Sequence, residues 1–142
     1  MASNSETIFT ADNLELINQV GLLDAKADLL KLSSALRSQG HSPESVTLAI
    51  SQGRLRHRAL AKFGTKLASR LLLTEAGLEQ ATRSEVAKWH AERFLDAGLT
   101  SVTDLGCGIG SDSIAFSKAG IQVKAVEADL ATAEIAAYNL SG

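Results

Sequence analysis

The chain has 142 residues, is 45 % apolar and 21 % charged, and carries a net charge of −2; that balance excludes a disordered polypeptide and fits about one globular domain. No apolar run approaches the ~18 residues of a membrane span, and Met1-Ala2-Ser3-Asn4-Ser5-Glu6 has neither the basic residues nor the apolar stretch of a leader peptide. Cys107 is the only cysteine, so an intrachain disulfide framework is excluded and a reduced, cytoplasmic protein is expected.

The first hundred residues read as helices in series. Asp12 is placed to cap a helix carrying Leu14, Ile17 and Val20, with Gly21 just past its end. A second helix is predicted from Ala25 to Gln39, with Leu29, Leu32 and Leu36 on one face and Gly40 as its stop. Ser42-Pro43 opens a third, because proline at the first helical position loses no hydrogen bond. Gly53 and Gly64 are expected to weaken or break the helical run after Pro43, leaving Arg54 to Phe63 as a separate helix. Thr82-Arg83-Ser84-Glu85 reads as a capping box before a helix from Val86 to Asp96, ended by Gly98.

From residue 101 the hydrophobic period changes. Ser101 to Leu105 is predicted as strand, Ser111 to Ala119 as helix, Gln122 to Glu127 as strand, and Leu130 to Asn139 as an Ala-rich helix. The fold class is therefore α/β: a helical domain over 1–98 followed by a β-α-β-α unit over 99–142. No internal repeat or low-complexity segment interrupts it.

The junction of the first strand and the next helix carries the chemistry. Val102-Thr103-Asp104-Leu105-Gly106-Cys107-Gly108-Ile109-Gly110 ends a strand in an acid and continues into alternate glycines. Glu127 ends the second strand 21 residues after Gly106. Strand, glycine turn, helix and a second strand ending in an acid form a Rossmann-type nucleoside site. Glycines let the backbone turn sharply and approach a ligand without a Cβ in the way. A tight structural turn explains the glycines alone but not the spaced Glu127. A dinucleotide is the competing ligand, but its Gly-x-Gly-x-x-Gly pattern is broken, since Ser111 holds the sixth position. Asp104 would repel a pyrophosphate and suits a cation; S-adenosylmethionine has an ammonium, a sulfonium and no phosphate.

Asp104-Leu-Gly-Cys-Gly-Ile-Gly-Ser-Asp112 resembles the first motif of class I S-adenosylmethionine-dependent methyltransferases, and Val126-Glu127-Ala128-Asp129 their second. With Arg58-Ala59-Leu60-Ala61-Lys62-Phe63-Gly64 and Gly77-Leu78-Glu79-Gln80-Ala81-Thr82, residues 50–140 are similar to a bacterial, mostly actinobacterial, group of predicted methyltransferases. In that group the catalytic domain precedes a THUMP-like domain, a module linked to RNA binding. The layout is more distantly similar to trimethylguanosine synthase-like enzymes. The resemblance implies that residues 99–142 are the first β-α-β-α of a Rossmann-like methyltransferase fold. It implies that Gly106, Gly108 and Gly110 line the methionine and ribose end, that Asp104 binds the methionine ammonium, and that Glu127 takes the ribose hydroxyls. Ala128 and Asp129 would lie beside the adenine. Gln80 is a candidate cofactor contact, Thr82 a helix cap, and Asp112 either a cap or a ligand contact.

The family's full sheet has seven strands, of which two are present. The expectation is therefore an N-terminal part of a longer enzyme, inactive alone and binding cofactor weakly or not at all, self-associating through its open sheet or poorly ordered over 101–142, with its catalytic residues beyond Gly142. The parent would methylate RNA or a small molecule. The reading from another class is a non-catalytic helical interaction module with a vestigial cofactor fold.

No acid occurs between Ser45 and Thr74, while Arg54, Arg56, Arg58, Lys62, Lys66 and Arg70 are basic. The four-residue steps 54, 58, 62, 66 and 70 would align on one helical face, either as a phosphate-tracking stripe for RNA or as a solvated surface. His41, His57 and His90 have no metal-ligand spacing, and no metal is expected. Cys107 has no neighbouring base to make it a nucleophile. Trp89 and Phe94 read as core anchors rather than a substrate cage.

Overall fold

The computed structural model describes residues 7–142, so the opening hexapeptide, where a leader would lie, is outside the described residues. The chain forms two compact units, one ending at Arg58 and the other comprising Ala59–Gly142. The sequence division at 98/99 tracks the change of hydrophobic period. The units instead track packing, which joins the helices after Ala59 to the strands.

In the first unit, helix α1 (Ala11–Val20) is capped by Thr10, whose hydroxyl accepts from Asn13 N, and not by Asp12, which sits in the first turn. The chain leaves α1 at Gly21, with φ 67°. Helix α2 (Leu29–Ser38) begins later than the hydrophobic pattern implies. The Asp24 carboxylate takes Lys26 N at 2.7 Å and holds a turn, and Asp28 then caps the helix by accepting from Lys31 N. Helix α3 (Pro43–Ala68) starts at the proline, as expected, but runs through Gly53 without a break. A Cβ at Gly53 would lie 3.0 Å from Gly21 O and 2.9 Å from the Leu23 side chain. Leu23 N also donates to Gly53 O at 3.0 Å. That glycine serves close packing. The interruption comes at Gly64, with φ 71° and ψ 167°. Arg56 is fully buried and donates to Asn18 Oδ1 at 3.1 Å and Ile17 O at 3.4 Å, closing the last turn of α1.

The second unit is mixed α/β and mostly helical, with one two-stranded parallel sheet among the described residues. A buried run, Leu71-Leu72-Leu73, leads into the short helix α4 (Glu75–Gln80), absent from the sequence expectations, and then α5 (Ser84–Asp96). Strand β1 (Ser101–Leu105), helix α6 (Ser111–Lys118), strand β2 (Gln122–Val126) and helix α7 (Leu130–Leu140) come next, within a residue of their predicted limits. The strands pair in register from Ser101 with Gln122 to Leu105 with Val126. Ala91, Phe116 and Ile121 form a core with Phe94, Val102 and Val123 around it. The Phe94 and Phe116 rings lie 4.8 Å apart at 60°, a tilted contact that favours aromatic pairs. Phe94 is thus the core anchor expected, whereas Trp89 is 59 % exposed and is not. Among the described residues, no helix is long and apolar enough to cross a membrane.

Candidate functional site

Parallel register brings the C-terminal ends of β1 and β2 side by side, so the turns after Leu105 and Val126 meet. Gly106 N and Cys107 N both donate to Val126 O, at 2.8 and 3.0 Å. Gly106 (φ 70°) and Gly108 (φ 58°) occupy the left-handed region, and a Cβ on either would find nothing within 4 Å. Open space therefore stands over both. Gly110 differs: it caps α6, and its Cβ position faces Ala136 and Leu140 at 3.8–3.9 Å. It packs on α7.

The Glu127 carboxylate joins the two turns. Its Oε2 accepts from Gly108 N at 3.0 Å, and its Oε1 from Asp129 N at 3.1 Å. The Asp129 and Gly108 amides hold this carboxyl below its ordinary range. Asp129 caps α7, accepting from Thr132 Oγ1 at 2.7 Å and Thr132 N at 2.9 Å, and those bonds lower its pKa as well. Ala128 between them is exposed.

A cleft of about 200 Å³ opens beside the glycine turn, and Gln80, Thr82, Asp104, Gly106, Gly108 and Asp112 line it. Glu127, Ala128, Asp129 and Gly110 lie outside that lining. Asp104 Oδ2 accepts from Ser113 Oγ at 2.6 Å, which orients the carboxylate from α6. The capping box does not form. Thr82 Oγ1 donates to Asp112 Oδ2 at 2.6 Å, and the N-cap of α5 is Arg83, without a side-chain cap bond. The other Asp112 oxygen meets His90 Nδ1 at 2.8 Å. Ser111 Oγ donates to Thr82 O. A tertiary partner has taken the hydroxyl that local spacing assigned to a cap.

Three residues hold the site in roles that the sequence did not assign to them. Gly77 in α4 faces Ile109 so closely that a Cβ would overlap Ile109 Cγ2 and lie 2.7 Å from Thr74 Oγ1. Asn139, 3 % exposed, reaches from α7 to the backbone of Leu72 and to Ile109 O in the glycine turn. Lys62 donates from Nζ to Leu78 O, Glu79 O and Ala81 O at 2.6, 2.7 and 3.0 Å. A polar residue amid the apolar run of α7 was the one readable signal, for Asn139.

The basic stripe is not one face. Gly64 interrupts the helical phase between Lys62 and Lys66, Lys62 is committed to carbonyls, and Arg70 donates to Gly142 O at 2.9 Å. Arg54, Arg58 and Lys66 are exposed. In the second unit, partial burial and then the nearby charges of Arg70 and Lys66 lower the Lys118 pKa, so these three cations form a cluster. The Cys107 thiol is pushed up by burial and by the Asp104 and Glu127 charges. Among the described residues, no group of three or more His, Cys, Asp or Glu is placed to hold a metal ion.

Compared with known proteins, residues 8–59 match a family model described as Domain of unknown function (DUF8688). The match ends one residue past the limit of the first unit at Arg58. No curated protein and no solved structure matches the chain.

Proposed function

We propose that the second unit is the cofactor-binding opening of a class I S-adenosylmethionine-dependent methyltransferase, with a Rossmann-like fold, acting on RNA in the cytoplasm. The observation that carries this reading is the Glu127 bridge to Gly108 N at the C-terminal ends of two adjacent parallel strands. Ligands of open α/β sheets bind at that end. Each Glu127 oxygen keeps a further lone pair beside its amide donor, so both ribose hydroxyls can be accepted without breaking the bridge.

The chain's residues fit the cofactor. The space over Gly106 and Gly108 is a cradle that side chains would fill. Asp104, held by Ser113, offers a carboxylate to an ammonium inside the cleft. The cleft, about 200 Å³, would take the amino-acid end of the ligand, leaving Glu127, Ala128 and Asp129, which lie outside its lining, for the nucleoside. When bound, S-adenosylmethionine supplies an electrophilic methyl group on a sulfonium; the protein orients it and excludes water. The acid in the cleft disfavours a dinucleotide pyrophosphate. The RNA reading draws on the Lys66, Arg70 and Lys118 cluster.

Calorimetric titration with S-adenosylhomocysteine and with NAD tests the proposal. With the Glu127 bridge and the cleft formed, saturable though weak binding of the first and none of the second is expected. Binding of NAD alone, or of neither, overturns it.

A further inference from the structure

Lys62 is a partly buried ammonium on α3, where local spacing puts it in a solvent-facing basic stripe. Its three N–H donors meet three main-chain carbonyls, Leu78 O, Glu79 O and Ala81 O, at 2.6–3.0 Å. An ammonium has three donors and no acceptor, so this set is complete. No donor remains for a phosphate.

The position of those carbonyls gives the lysine its meaning. Leu78 O and Glu79 O belong to the last turn of α4, whose carbonyls have no intrahelical partners, and Ala81 O to the C-cap that follows it. Charge-assisted bonds are the stronger kind, and three converge on one atom. The segment they bracket, Gln80 and Ala81, lines the cleft together with Thr82 and the glycine turn. From the other side, α6 grips the same segment: Ser111 Oγ donates to Thr82 O, and Asp112 accepts from Thr82 Oγ1. Gly77 allows α4 to lie directly on Ile109. The segment is thus held at one end by Lys62 and at the other by α6. Gln80 is exposed and lines the cleft between these two attachments.

We infer that Lys62 is a positioning residue for the cofactor cleft: its ammonium clamps the end of α4 so that Gln80 stands against the amino-acid end of the ligand. This rests on the methyltransferase reading. Lys62 is not a nucleic-acid contact, and it touches neither cofactor nor substrate.

The test is a double-mutant cycle read by S-adenosylhomocysteine affinity, with amide and Gln80 side-chain resonances monitored by NMR. Lys62→Met and Gln80→Ala are each expected to weaken binding about tenfold, and the double variant no further, because one removes what the other positions. Ligand-induced shifts at the Gln80 carboxamide should vanish in Lys62→Met while those at Gly108 persist. A general loss of stability would diminish both. Hydrogen exchange at the Ala81 amide should quicken in Lys62→Met without ligand. If Lys62→Met fails to fold, Lys62→Arg replaces it; a planar guanidinium cannot converge on three carbonyls in the same way, and an intermediate loss is expected. Unchanged affinity with intact Gln80 shifts, or fully additive losses, overturn the inference alone. A wild-type protein that binds no S-adenosylhomocysteine overturns the methyltransferase reading together with it.

Discussion

The Asn139 carboxamide pairs with both backbone groups of Leu72. Its Oδ1 accepts from Leu72 N at 2.8 Å and its Nδ2 donates to Leu72 O at 3.0 Å, while the second Nδ2 hydrogen reaches Ile109 O at 2.9 Å. One side chain of α7 therefore ties the buried leucine run to the glycine turn. Asn139→Ala strands one N–H and two carbonyls beside a fully buried leucine. It should cost about 3 kcal/mol. Urea unfolding monitored by Trp89 fluorescence checks this, since Trp89 is the only tryptophan and lies in the same unit. An unshifted midpoint would count against the role.

The Glu127 bridge predicts a pH response. A carboxyl whose folded pKa is lowered contributes stability above its unfolded pKa and loses it as pH falls through the lower folded value. The Gly108 amide resonance should therefore stay put through the ordinary glutamate range and move only below it. A midpoint at or above that range would contradict the bridge. Glu127→Ala should free the Gly108 amide at all pH values and weaken S-adenosylhomocysteine binding by about tenfold.

Two glycines separate ligand space from packing space. Gly108→Ala places its methyl in open volume, so its folding cost is the left-handed backbone alone, about 1 kcal/mol. Its loss of cofactor affinity should be much larger. Gly77→Ala drives a methyl into Ile109 and Thr74. Its effect should fall on stability, about 1–3 kcal/mol. Thermal melts and calorimetry on both variants read the contrast, and equal affinity losses would show that Gly108 is only a turn.

The basic cluster makes the RNA proposal measurable. Lys66→Glu with Lys118→Glu should weaken binding to a single-stranded RNA oligomer and flatten its salt dependence, by about 0.7 in logarithmic slope for each contact removed. Lys31→Glu, exposed on α2 in the other unit, is the control. Salt-independent binding, or equal effects of cluster and control, would remove the support for RNA.

The strands and the turn between them were legible because their signals are local. Alternation, glycine and a terminal acid specify β1, the loop and β2 within a few residues. What sequence could not resolve was the partner each polar group would find. Thr82 has the spacing of a cap and serves Asp112 instead. Gly53 and Gly64 look alike in a helical run; one is a contact point with Leu23 and the other a break. Lys62 shares the period of its basic neighbours, yet the carbonyls that accept its three hydrogen bonds lie 16–19 residues away. Helix α2 starts late because Asp24 and Asp28 each take backbone amides, and the second wins the cap.

The position of Cys107 has a chemical consequence of its own. Burial and two neighbouring carboxylates keep the thiol protonated at pH values where an open cysteine would begin to ionise. Peroxide attacks the thiolate. The shift therefore lowers the thiolate fraction of the chain's only cysteine, at the turn joining β1 to α6, and with it the rate of attack by peroxide or a disulfide.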